Sequence, residues 1–107
     1  MLDIMLPFWG EPRYLYETVE SVLSQTDERW HLTVVDDCYP DSRVPEYFER
    51  LDHPQVTYIR NEKNLGITAN YERCIEMASA DLVMLLGCDD IMQPDYVARV
   101  LTLHEKF

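Results

Sequence analysis

The sequence predicts an α/β fold: a mainly parallel sheet of about four strands with helices on both faces. Three observations carry this. Strand-like and helix-like segments alternate along the 107 residues with short connections and without linker, close repeat or low-complexity tract. Two strand-like runs, Leu32-Thr33-Val34-Val35 and Leu82-Val83-Met84-Leu85-Leu86, are short, aliphatic and lack polar alternation, the pattern of parallel strands covered on both faces. Each leads into a pair of aspartates, Asp36-Asp37 and Asp89-Asp90, at what would be the carboxyl end of a strand, where ligands gather in open α/β sheets.

The first strand spans roughly Asp3 to Pro7. Pro12 then opens a helix at its first position, where a missing N–H costs nothing, and Leu15, Val19, Val22 and Leu23 form its apolar stripe. The second strand ends at Asp36-Asp37, after which Asp41 or Ser42 is placed to cap a helix with Val44, Tyr47, Phe48 and Leu51 inward. Val56 to Arg60 makes the third strand. The turn-rich segment Asn61 to Gly66 leads to a helix whose inner face reads Tyr71, Cys74, Ile75 and Ala78. The fourth strand ends at Gly87-Cys88-Asp89-Asp90, and Pro94 opens a last helix carrying Val97, Val100, Leu101 and His104. A strand that ends in two carboxylates is expected to present them, and two such pairs suggest one cation-dependent site.

Composition narrows the function classes. The length suits one domain over residues 1–107. Twenty acidic against nine basic residues, a formal charge of −11, argue against binding nucleic acid or an anionic membrane surface. An anionic ligand then needs a metal ion as intermediary. Three cysteines without metal-ligand spacing and three scattered histidines indicate neither a disulfide framework nor a zinc site, so a reducing, cytoplasmic compartment is expected. Cys38 and Cys88 read as small fillers and His104 as a core-edge residue. No apolar stretch approaches the ~18–20 residues of a membrane span.

Five landmarks in order resemble the family 2 glycosyltransferases, which act on nucleotide-diphospho-sugars and have the GT-A fold, and the resemblance covers nearly the whole chain. They are Pro7-Phe8-Trp9-Gly10; Ser21 to Thr26 as Ser-x-x-x-Gln-Thr; Val35-Asp36-Asp37-Cys38-Tyr39-Pro40-Asp41; Asn64-Leu65-Gly66 with Asn70 beyond; and Gly87-Cys88-Asp89-Asp90 with Pro94 beyond. Three departures stand out: Gly10 replaces an asparagine, Cys38-Tyr39 replaces Gly-Ser, and Gly87 occupies a position that is often acidic.

The resemblance implies a Rossmann-like GT-A nucleotide-binding half and a set of roles. Asp37 accepts from the N3–H of a uracil-like base, Pro7 and Trp9 flank the base, and Asn64 and Gly66 complete the nucleotide site. Asp89 or Asp90 holds ribose and metal, and Asp90 is the first choice for direct coordination of Mn2+ or Mg2+. A pyrophosphate facing a carboxylate is repelled by roughly 4 kcal/mol per charge pair at ~4 Å and intermediate dielectric, and a divalent cation reverses that sign. The donor is then a nucleotide-diphospho-sugar, UDP-linked by expectation, and the acceptor is an unknown saccharide, lipid or protein. The resemblance further implies hexosyltransferase-type, inverting chemistry. The general base and acceptor pocket belong to the second half of the family's catalytic domain, which is expected to be absent here, leaving the isolated chain inactive in a parent that is cytoplasmic or peripheral to a membrane.

Local readings compete with these roles. Asp41 fits a helix cap, Trp9 fits hydrophobic cover, and Asn64-Leu65-Gly66 fits a plain entry turn. A non-catalytic interaction module of the same fold is the main alternative. A phosphoacceptor receiver domain is disfavoured, because its acidic pair would follow the first strand and the only lysines here are Lys63 and Lys106. If the strand order is three-two-one-four, the apolar run Leu82 to Leu86 lies at an edge and invites a homo-oligomer.

Overall fold

The computed structural model describes residues 1–106 and consists of β1 (Leu2–Phe8), α1 (Pro12–Leu23), β2 (Trp30–Asp36), α2 (Arg43–Leu51), β3 (Val56–Arg60), α3 (Ile67–Met77), β4 (Leu82–Leu85) and α4 (Tyr96–Lys106). The strands form one sheet in the order β3-β2-β1-β4, every neighbouring pair parallel. The α/β fold with helices on both faces is thus as the sequence predicts.

Side-chain alternation along the central strands divides the core. Leu2, Ile4, Leu6 and Phe8 of β1, with Trp30, Leu32 and Val34 of β2, point to one face, where Leu15, Val19 and Val22 of α1, Val44 and Phe48 of α2, and Val97 and Leu101 of α4 cover them. Burying each aliphatic side chain here contributes ~1.5–3 kcal/mol relative to exposure. Met5 and Val35 point to the other face, where α3 packs through Cys74 and Met77, with Ala78 at its C-terminal cap.

This asymmetry corrects the expectation that β4 is covered on both faces. Leu82 and Met84 pack on the larger core, but Val83 and Leu85 remain 44% and 40% exposed, because α3 does not reach the edge. The inner face of α3 also differs. Asn70 shares it with Cys74 and hydrogen-bonds into the sheet, while Ile75 turns outward at 58% exposed.

Two expectations at α4 are corrected as well. The helix starts at Tyr96, and Pro94 lies in the preceding turn, where its carbonyl accepts from the Thr26 N–H at 2.9 Å. His104 is exposed rather than at the core edge. At α2 the Asp41 carboxylate, not Ser42, accepts from the Arg43 backbone N–H at 2.9 Å.

Candidate functional site

A groove of about 660 Å3 opens where β1, β2 and β4 end, and its lining includes Pro7, Trp9, Asp37, Asn64, Gly66 and Asp89. The sheet order explains the convergence. With β1 central, the loops after β2 and β4 rise on either side of the loop after β1, so residues far apart in sequence share one opening. Asp90 does not line the groove itself; its carboxylate lies beside Gly87, which does.

The two aspartates after β2 have different fates. The expectation that both are presented to solvent fails: Asp36 is fully buried and Asp37 is 2% exposed. Asp36 accepts from the Tyr39 N–H at 2.9 Å and from the Tyr58 hydroxyl, tying β2 to β3 and to the following loop. Burial, and then this bond to Asp36, raise the Tyr58 pKa well above the usual tyrosine value. Asp36 is therefore structural.

Asp37 borders the groove and organises its rim. Its Oδ1 accepts from Asn61 Nδ2 at 2.9 Å and from the Leu65 N–H at 2.8 Å, and its Oδ2 accepts from the Gly66 N–H at 3.0 Å. Gly66 has a φ of 94°, a conformation costly for any side chain, so glycine is what lets this N–H turn to the carboxylate. Behind Asp37, Asn61 Nδ2 also donates to Asn70 Oδ1 at 2.9 Å, and Asn70 Nδ2 donates to the Val35 carbonyl at 3.0 Å. Asn64 closes the loop by donating to the Asp37 carbonyl at 3.3 Å.

On the β1 side, Trp9 stands 46% exposed, its ring meeting Tyr39 edge-on at 5.0 Å, so it presents an apolar wall held in place by an aromatic neighbour. Cys38, between Asp37 and Tyr39, has a φ of 65°, where the family pattern has glycine. On the β4 side, burial pushes the Cys88 thiol pKa up, which leaves it a neutral filler beside Gly10.

The acidic loop after β4 is held by residues whose role the sequence did not reveal. Thr18 Oγ1 shares its one proton between the Tyr14 carbonyl at 2.9 Å and the Cys88 carbonyl at 3.2 Å, and Ser21 Oγ accepts from the Met92 N–H at 3.0 Å. Gln25, 7% exposed, donates to the Gln93 carbonyl at 2.7 Å and accepts from the Val97 N–H at 3.0 Å. The Ser-x-x-x-Gln-Thr motif was visible, but its partners lie about 70 residues further on. These bonds place Asp89 and Asp90, whose carboxylates both approach the point that a Cβ on Gly87 would fill, Asp90 Oδ2 at 2.5 Å and Asp89 Oδ1 at 3.4 Å. No cluster of three His, Cys, Asp or Glu able to hold a metal occurs among the described residues.

Comparison with known proteins gives this geometry its family. Residues 3–107 match the model of glycosyl transferase family 2. The chain belongs to that family. Among its relatives is WcaA of Escherichia coli K12, a glycosyl transferase provisionally assigned to colanic acid biosynthesis, 28% identical over 102 residues that make up 94% of this chain and 37% of WcaA. Among solved structures, S. aureus TarS in complex with UDP-GlcNAc superposes with a TM-score of 0.86 at 17% identity over 98% of this chain and 32% of that one. The mannosyltransferase PcManGT from Pyrobaculum calidifontis, in complex with GDP-Man and Mn2+, gives 0.79 at 18% identity over 94% of this chain and 31% of that one. These likenesses establish the GT-A fold. The family 2 chain described here spans about a third of the length of each of these proteins.

Proposed function

We propose that this chain is the nucleotide-sugar-binding part of a glycosyltransferase, a single domain that takes a UDP-linked sugar as donor. The observation that carries the reading is the convergence of Asp37, Trp9 and Asp89 on one groove at the strand ends. An ionised carboxylate offers about four acceptor sites. Asp37 spends three on Asn61, Leu65 and Gly66, which leaves one, rigidly aimed, for a ring N–H of the base. Pro7 and the exposed Trp9 ring supply the flanking walls, and Asn64 and Gly66 the rim.

Asp89 and Asp90 fit a divalent cation. Two hard oxygen donors flank a bare glycine, and with no third protein ligand among the described residues the remaining positions fall to phosphate oxygens and water, as Mg2+ and Mn2+ favour. When bound, the ion offsets the charge developing on the leaving diphosphate. Asp90 is the primary ligand in this reading and Asp89 divides its oxygens between ribose and metal. The roles of Thr18, Ser21 and Gln25 are to hold that loop while the donor is bound.

The acceptor pocket and general base are proposed to lie in sequence that longer relatives carry. The 107-residue chain alone is then expected to bind nucleotide weakly and transfer no sugar, and turnover of any sugar donor would overturn that. At the sheet edge β4 is hydrogen-bonded, among the described residues, to β1 alone and exposes Val83 and Leu85, which favours self-association of isolated chains through this edge. A strictly monomeric species in light scattering at high concentration would contradict it.

Base choice tests the donor site directly. Competition by UDP and CDP, followed by tryptophan fluorescence, is expected to show CDP at least roughly tenfold weaker, since cytosine lacks the ring N–H and a single charged hydrogen bond is worth ~1.5–3 kcal/mol. Equal binding of the two would remove Asp37 from base recognition.

A further inference from the structure

A second groove, of about 390 Å3, lies between the start of α1 and the outer face of α2, with Glu11, Arg13, Tyr16, Arg43, Tyr47 and Arg50 in its lining. Helical spacing assembles it. Arg43, Tyr47 and Arg50 fall on one stripe of α2, and Arg13 and Tyr16 on one turn of α1. The Tyr16 and Tyr47 rings stack at 4.2 Å and form a rigid aromatic floor.

The charge here runs against the rest of the molecule. A chain of net charge −11 places three of its nine basic residues around this one groove, against the single carboxylate of Glu11 in the lining. Arg43 is held by Asp41 at 2.6 Å, and Glu20 accepts from the Tyr47 hydroxyl at 3.4 Å. Among the described residues, Arg13 and Arg50 form no ion pair despite the abundance of carboxylates. Arg13 donates to the Tyr14 hydroxyl at 3.3 Å and lies over the Tyr14 ring at 5.1 Å, and Arg50 donates to the Glu46 carbonyl at 3.5 Å, so neither guanidinium meets a carboxylate.

We propose that this groove is a second ligand site, for a phosphate-bearing molecule whose phosphate engages Arg13 and Arg50 and whose body lies on the Tyr16–Tyr47 stack. A guanidinium presents a planar fork of donors that matches phosphate oxygens, and Arg43, whose charge Asp41 offsets, adds a side wall oriented by that ion pair. Glu11 belongs to both grooves, so a ligand here sits beside the donor groove without sharing its aspartates. The proposal stands independently of the nucleotide reading.

The test is an amide NMR titration of the whole chain with inorganic phosphate, against sodium chloride at matched ionic strength. Saturable shifts at Arg13, Tyr16, Arg43, Tyr47 and Arg50 under phosphate, absent under chloride, are expected. The Arg13→Gln/Arg50→Gln double variant should weaken them by roughly tenfold or more, while its amide spectrum away from the groove stays that of the native fold. Shifts that follow ionic strength alone, or that survive in the double variant, would overturn the proposal. Sedimentation with phosphatidylglycerol vesicles separates the sources: Arg13- and Arg50-dependent pelleting identifies a lipid headgroup, and phosphate saturation without pelleting identifies a soluble phosphate ligand.

Discussion

The Oδ2 atom of Asp90 sits 2.5 Å from the point where a Cβ on Gly87 would be, so the absence of a side chain at 87 is what makes room for the Asp90 carboxylate. Read in sequence, Gly87 was a departure at a position that is often acidic. In the fold it is the floor beneath the proposed metal ligands. Gly87→Ala is therefore expected to turn the Asp90 carboxylate away without unfolding the chain and to weaken Mn2+-dependent UDP binding by roughly tenfold, about 1.4 kcal/mol. Calorimetry checks it, and an unchanged affinity would mean that Asp90 is free to coordinate from another rotamer.

Asp37→Asn sets an amide where a carboxylate accepts three N–H donors. Whichever way the amide turns, a donor meets a donor or an acceptor site is lost. The expected cost is about 1–3 kcal/mol of stability in urea unfolding, with faster hydrogen exchange at Leu65 and Gly66. Unaltered exchange at those two amides would show that the loop holds its shape by itself.

Cys38 carries a left-handed backbone, φ 65°, with a side chain attached. Relief of that conformation outweighs the extra freedom glycine gives the unfolded chain, so Cys38→Gly is expected to stabilise the protein by roughly 0.5–1 kcal/mol, seen as a higher urea midpoint at constant slope. A lower midpoint would indicate that the Cys38 side chain makes a contribution larger than its weak contact with the Glu62 carbonyl.

Acid should release the second groove's fixed wall. Arg43, through its side-chain and then its backbone hydrogen bonds, lowers the Asp41 pKa from 3.8 to about 2. Because the folded value is the lower one, the stabilisation is present above the ordinary value and fades as the pH falls from about 4 to about 2. NMR titration of the Asp41 carboxyl is expected to show this, with Arg43→Gln returning it towards 3.8. Titration of native Asp41 near the ordinary value would mean that solvent screens the pair.

The elements and their parallel order were legible because apolar runs and turn residues are local signals. The fate of Asp36 was also legible in principle. It shares the parity of Leu32 and Val34, which face the larger core, so period-two alternation along β2 already points it inward. Reading the two aspartates as one presented unit missed that. Gln25 was not legible in the same way, since its bonds to Gln93 and Val97 arise only when β4 and α4 fold back onto α1. The exposure of Val83 and Leu85 likewise depends on how far α3 reaches across the sheet, which no local pattern encodes.

A calorimetric titration of the chain with UDP, with and without Mn2+ and beside an Asp90→Ala variant, tests the central claim most directly. The account predicts binding that Mn2+ strengthens in the native chain and fails to strengthen in the variant, with Mn2+ alone binding weakly to both because the proposed site draws its remaining ligands from the diphosphate and water. Equal UDP binding with and without Mn2+, or an Asp90→Ala variant that keeps the full metal effect, would contradict it.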